Sequence, residues 1–585
     1  MIKKLARYIG GYRKSLALVP FFVLLEVASE LSIPLLMARV IDIGIPGGDI
    51  AFIIRTGLIM ILLALVAIGL GILFMYFSTR ASTGFSANLR DALFEKIQSF
   101  SFKNIDTFST GSLVTRLTND VNNLQMTLIM VLRMALRAPV MLVVAFFLAY
   151  SINAQLSIVL AVAIPILTIG IILIMRAATP RFVIMQKKID ALNTTLQENL
   201  IGIRVVKSYV REGFEKLKFA GVNDDFTASA VRALNVAVLG MPLMMLVMNG
   251  ATLAVIWLGG RMVYIGSIGA GELISFLSYI MQILMSILVL SMVLLMSTRA
   301  EASAKRVLEV LDTEVDISEP DRPLVAAALP ASPTSGSKVE FRDVSFKYNL
   351  GGSGDEVLSA ITFTAEPGQV VGIIGGTGTG KSSLVHLIPR LYDVTEGAVL
   401  VDGVDVRDYP LVDLRSKIGM VLQQNTLFSG TIRENLLWGN ENATQEEIEA
   451  ACRDAQAHDF ITSFPEGYGT LLGQGGVNLS GGQKQRLCIA RAMLRKPGIL
   501  IMDDSTSAVD TATEAKIRQS FYRNLAGTTI FIIAQRISSV RDADQILVLD
   551  DGRIVDSGTH AKLIASSPIY REIDALQQEG AYIHG

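Results

Sequence analysis

Nine consecutive residues, Gly375-Gly376-Thr377-Gly378-Thr379-Gly380-Lys381-Ser382-Ser383, carry the clearest chemistry in the chain. Their GxxxxGK[ST] spacing suits a phosphate-binding loop. Glycines let successive backbone N–H groups turn inward around a phosphate chain, and a following helix adds its partial positive charge. Lys381 is placed to neutralise β- and γ-phosphates, and the Ser382 hydroxyl to ligate Mg²⁺. Other stretches could act with this loop. Leu479-Ser480-Gly481-Gly482-Gln483 is a second glycine turn that opens a helix at Lys484. Ile499-Leu500-Ile501-Met502 reads as a buried strand delivering Asp503-Asp504, where a carboxylate can reach Mg²⁺. Ser507-Ala508-Val509-Asp510 follows it, and the strand-like Thr529–Ala534 ends at Gln535. Tyr348, after the strand-like Val339–Val344, can stack on a flat base.

These residues need strands and helices to hold them. Val370-Val371-Gly372-Ile373-Ile374 before the loop and Leu384–Ile388 after it read as strand, loop and helix. From Lys338 onward strands and helices alternate, an α/β pattern. With 585 residues, two or more domains are expected. A linker is expected at 312–337, where the chain turns rich in Asp, Pro, Ala and Ser. The boundaries are therefore 1–311, 312–337 and 338–585.

The first 311 residues hold most of the apolar excess of a chain that is 51% hydrophobic. Six apolar stretches, near 16–41, 52–77, 127–150, 155–176, 234–258 and 270–297, each reach the about 20 residues of a spanning helix. The basic start, Met1-Ile2-Lys3-Lys4, leads into an apolar run too long for a signal peptide, so it reads as an uncleaved first span. Short links at 42–51 and 151–154 lack Lys and Arg, whereas long links at 78–126 and 177–233 are rich in them. The positive-inside rule then places both termini, both long links and the α/β domain in the cytoplasm of a plasma or inner membrane. Each long link reads as two helical arms, an arm of about 20 residues reaching about 30 Å. The expected tips are Phe108-Ser109-Thr110-Gly111 and Tyr209–Phe214. A formal net charge of −1 gives no electrostatic case for nucleic acid. Cys452 and Cys488 have no CxxC spacing and read as reduced packing residues.

Within the spans, Glu26 and Glu30 share a helix face, as do Arg133 and Arg137; an ion pair between spans one and three is expected. Met241, Met244, Met245 and Met248 are expected on one face of span five, and Met281, Met285, Met292 and Met296 on one of span six. Flexible, polarizable side chains suit a cavity for varied apolar ligands.

With all these motifs in order, the chain resembles an ABC exporter half-transporter of the multidrug type. The resemblance implies an all-α six-helix transmembrane domain (type I exporter, or type IV ABC fold) fused to an α/β P-loop nucleotide-binding domain. It implies ATP and Mg²⁺ as ligands, Tyr348 stacking on the base, and Gly375–Ser383 on the phosphates. Asp503 joins Ser382 at the metal, Leu479–Gln483 is the signature, and Ser507–Asp510 the D-loop. By the same resemblance the Q-loop glutamine is Gln423, beside metal and attacking water. Gly111–Leu117 and Glu198–Tyr209 resemble the two coupling-helix regions.

Where this family has a catalytic glutamate the chain has Asp504, and where it has a switch histidine the chain has Gln535. Aspartate withdraws its carboxylate by about 1.5 Å, and a misplacement of about 1 Å can cost on the order of 10²-fold. Glutamine can hydrogen-bond a γ-phosphate but cannot share charge as imidazole does. Gly473-Gln474-Gly475-Gly476 also lacks the charged residues common before the signature. The expectation is a heterodimer: this chain's own site binds Mg·ATP tightly and turns it over slowly. Ser480, Gly481, Gly482 and Gln483 complete the site of a partner half-transporter that has both Glu and His. An amphipathic small molecule is the expected cargo. The alternatives are a lipid or peptide exporter, or an ATP-gated regulatory subunit that does not pump.

Overall fold

The structure is a computed structural model that describes residues 1–319, 339–348, 356–504, 509–525 and 527–583, with backbone alone at 2, 292, 294–299, 511 and 579–583. Most of the linker, Ser507 and Ala508 of the D-loop, and the side chains of Met292 and Met296 lie outside the described residues. The chain divides into two compact units. Met1–Gln98 and Ser109–Thr313 form one; Ser99–Phe108 and Glu314–Gly585 form the other.

Among the described residues of the first unit, six helices are long and apolar enough to cross a membrane: Lys3–Gly44, Ile50–Gln98, Thr110–Ile152, Ser157–Ile201, Glu212–Tyr264 and Ala270–Ser291. The last continues unbroken to Asp312. Apolar stretches mark where lipid would sit, not where helices end. Ile50–Gln98 runs for 49 residues, about 74 Å against a hydrocarbon core of about 30 Å. Leu58, Leu62, Leu65 and Ile72 stay exposed along it, as expected of a helix in lipid.

Polar ties hold these helices in register. The Asp42 carboxylate accepts from the backbone N–H groups of Gly271 (2.7 Å) and Glu272 (3.0 Å), capping the last helix from the end of the first. Arg137 donates to Glu30 at 2.5 Å and lies 3.6 Å from Glu26, the expected pair between spans one and three. Arg133 does not join it; its guanidinium donates to Thr79 Oγ1 at 2.8 Å. Buried Arg116 meets Glu309 at 2.8 Å and the Arg306 carbonyl at 2.9 Å, while Arg306 Nε donates to Asp120 at 2.8 Å. Arg116, within Gly111–Leu117, is thus fastened to the last helix of its own unit.

The methionine expectation for span five also changes. Met244 is buried, whereas Met241 and Met245 point outward, because residues three apart on a helix diverge by about 60°. Met281 and Met285 do share a cavity of about 410 Å³ with Met134, Glu30 and Arg137.

Among the described residues the second unit holds two main sheets and a small pair of strands, Gly430–Thr431 with Leu471–Leu472. An antiparallel sheet has the order β2-β1-β4-β5, with β1 Val339–Phe346, β2 Leu358–Ala365, β4 Glu396–Val401 and β5 Val404–Asp405. The central sheet has the order β10-β9-β3-β8-β7-β6. Its strands are β3 Val370–Gly375, β6 Ile418–Val421, β7 Ile499–Asp503, β8 Thr529–Ile533, β9 Gln545–Asp550 and β10 Arg553–Gly558. All but β10 pair in parallel. Side chains alternate between two cores: Val370, Leu500, Ile530 and Ile546 face one, and Val371, Ile501, Phe531 and Leu547 the other. Burial on both faces explains the unbroken β-branched runs of the sequence.

Candidate nucleotide site

Parallel register brings the site together. Ile533 of β8 pairs with Ile373 on one side and with Asp503 on the other. The carboxyl ends of three neighbouring strands therefore carry the glycine loop, Asp503-Asp504 and Gln535, the crevice where α/β sheets bind ligands. A cavity of about 650 Å³ opens there. Of the residues singled out in the sequence, Tyr348, Gly375–Ser383, Gln423, Asp503, Asp504 and Gln535 all line it.

The loop fits a phosphate chain for steric reasons. A Cβ at Gly375 would lie 2.2 Å from the Leu549 carbonyl oxygen. Gly380 has φ +88°, and a Cβ there would meet the Val357 carbonyl oxygen at 2.7 Å. Lys381 donates to the Gly375 and Gly376 carbonyls at 3.0 and 2.5 Å, folding over the loop it serves. Burial holds its pKa below the ordinary lysine value, so it favours an anion against it.

Ser382 Oγ donates to Asp503 Oδ1 at 2.9 Å. Asp503 is 2% exposed, and burial raises its pKa, which makes it a carboxylate in want of a cation. Among the described residues no cluster of three or more His, Cys, Asp or Glu could hold a metal. Ser382 and Asp503 fit Mg²⁺ as it arrives with nucleotide, since it keeps phosphate oxygens and waters in its shell. Asp504 has φ +46°, a left-handed conformation that aspartate tolerates. Its pKa is also raised, first by burial and then by Asp503. Gln535 Nε2 donates to Asp504 Oδ2 at 2.8 Å, so the two residues that depart from the family pattern engage each other.

The signature and Asp510 do not enter this cavity. Ser480 caps the 14-residue helix Gly481–Leu494. Its Oγ accepts from Gln483 N at 3.3 Å, and its N–H donates to Gln483 Oε1 at 2.9 Å. Asp510 caps the helix Thr511–Asn524, accepting from Thr513 N at 3.0 Å.

Residues that sequence reasoning missed surround the base-stacking side. Tyr348 OH and Ser383 Oγ are 2.7 Å apart, and the Tyr348 ring meets Tyr392 edge-on at 5.2 Å. Tyr392 donates to Asp106 Oδ2 at 2.6 Å and packs against Phe102. Both belong to Ser99–Phe108, which contains the short helix Phe102–Thr107 capped by Ser101. Ser99–Phe108 folds with the nucleotide unit although it lies in the first long link. Phe100, Phe102 and Phe108, three aromatics in a polar stretch, were the available signal, and Phe100 stacks on Phe108 at 5.8 Å.

Residues 16–287 match the ABC transporter transmembrane region family, and residues 358–507 match the ABC transporter family. An uncharacterized ABC transporter ATP-binding protein of Bacillus subtilis (strain 168), YfiB, is 39% identical over 572 residues, 98% of each chain. The chain belongs to the ABC transporter family. An ATP-dependent lipid A-core flippase of Syntrophus aciditrophicus (strain SB) is 36% identical over 494 residues, covering 84% of this chain and 80% of the relative. The structure of a bacterial Atm1-family ABC exporter with ATP bound superposes with TM-score 0.77 at 25% identity, covering 97% of this chain and 98% of that one. This protein is thus an ABC exporter half-transporter, a multi-pass membrane protein whose ATP-binding domain couples ATP use to transport.

Proposed function

We propose that this ABC half-transporter is the slow-site subunit of a heterodimeric exporter of amphipathic or hydrophobic compounds. Gly375–Ser383 grip the triphosphate, Lys381 neutralises it, and Tyr348 supports the base. Ser382 and Asp503, with Gln423 beside them, would hold Mg²⁺, which supplies charge neutralisation at the γ-phosphate. The observation that carries the reading is the Gln535–Asp504 hydrogen bond of 2.8 Å. A short carboxylate already held by an amide is poorly placed to take a proton from water. The signature Ser480–Gln483 does not line its own chain's cavity and serves the partner's nucleotide by its helix N-terminus and backbone N–H groups.

Arg and Lys asymmetry between the links supports cytoplasmic termini, and a cytoplasmic nucleotide unit at the cell membrane. The methionine-lined cavity beside the Glu30–Arg137 pair suits a cargo with an apolar body and a polar end. A lipid cargo is the second reading, favoured by the 36% identity to a lipid A-core flippase.

ATPase assays of the assembled complex test the proposal. Asp504→Asn should leave turnover essentially unchanged, whereas Ser480→Arg should remove most of it. Loss of turnover in Asp504→Asn, or full activity of this chain with no second kind of subunit, refutes the slow-site assignment.

A further inference from the structure

The last helix, Pro568–Ile583, carries Ile573 and Gln577 four residues apart on one face, and both line the nucleotide cavity. Gln577 does more than line it. Its Nε2 donates to the Gln535 carbonyl at 2.8 Å, and its Oε1 accepts from the Ile537 N–H at 2.8 Å. One carboxamide thus bridges the residues on both sides of Arg536. The demand is chemically specific. Ile537 opens the short helix Ile537–Val540, so its N–H has no partner within that helix, and the Gln535 carbonyl needs a donor. A carboxylate could accept but not donate, an ammonium donate but not accept. The clamped Gln535 then turns its own amide onto Asp504.

We propose that Gln577 is the positioning residue of the switch. From the C-terminal helix it fixes the Gln535 backbone so that the Gln535 side chain meets the γ-phosphate. This rests on the cavity being the ATP site. Gln577 acts through Gln535, so its removal weakens a contact that ATP makes and ADP lacks.

The test uses the full-length protein in lipid nanodiscs, with ATP and ADP each displacing a fluorescent nucleotide in EDTA, where no hydrolysis occurs. Gln577→Met keeps length and packing and removes both hydrogen bonds. ATP affinity should fall about tenfold, with ADP affinity unchanged. In a Gln535→Ala background the same substitution should have no further effect. Equal losses for ATP and ADP, or a loss undiminished in Gln535→Ala, overturn the proposal. Should Gln577→Met not fold, Gln577→Leu, uncharged and of similar volume, should give the same ATP-only loss; equal losses again overturn it. Wild-type ATP binding that Lys381→Ala removes is the control. Without it the site assignment fails and the proposal with it; with it, only the positioning role is at stake.

Discussion

At the glycine loop, residues from separate stretches of chain face one another across one cavity: Tyr348, Lys381, Gln423, Asp503, Asp504 and Gln535. At Leu479–Gln483 the polar groups instead satisfy each other. Ser480 and Gln483 close a capping box, and Gly481 is left exposed at the start of a 14-residue helix. The loop side is assembled by long-range strand register and traps charge in a half-buried crevice. The capping box of the signature side is local, with Ser480 and Gly481 exposed and Leu479 buried in the core behind them. One region is a cavity lined by groups from distant stretches of chain; the other is a self-capped helix start.

The largest effect should come from spoiling the outward face. Gly481→Asp places an anion where a phosphate is to be met, and ATPase of the assembled transporter should fall by about 10²- to 10³-fold. A fall confined to nucleotide binding at this chain's own loop would erase the contrast. Lys381→Ala should lower ATP affinity at the loop by about 10- to 100-fold, since it removes a charge-assisted contact; equilibrium binding to the purified chain measures it. Tyr392→Phe strips Asp106 of its donor. It should cost about 1 kcal/mol and lower the melting transition of the nucleotide unit by about 2–4 °C in calorimetry. Smallest of all, neither cysteine should react with iodoacetamide at neutral pH. Cys488 lies 3% exposed within the signature helix and burial raises its pKa; burial pushes the Cys452 thiol up to about 12. Labelling of Cys488 without denaturant would mean that the signature helix peels away and is not a preformed face.

Much of the nucleotide site was legible in the sequence because its chemistry is local. A glycine loop between a β-branched run and an apolar one, and acidic residues ending a buried strand, are patterns that few other folds require. Hydropathy located the membrane crossings but not the helix ends, because backbone hydrogen bonding carries a helix through lipid and water alike; Ile50–Gln98 shows it. Side-chain partners were the weaker inference. Arg133 and Arg137 have the same spacing and type, yet only Arg137 reaches Glu30, while Arg133 turns to Thr79. Asp106 and Gln577 gave no signal at all. Asp106 meets Tyr392 and Gln577 meets Gln535 and Ile537, all 40 or more positions away, and polar residues on a helix read as ordinary surface.

The placement of Ser99–Phe108 has a practical corollary for anyone who would dissect the protein. The chain passes between its two units at 98/99, 108/109 and 313/314, so no single cut yields an intact nucleotide-binding module. A fragment beginning near Glu314 would lack the ring and carboxylate that Tyr392 leans on, and would report the behaviour of an unfinished fold. The nucleotide-binding unit must be studied with ten residues borrowed from the first long link, or in the whole transporter.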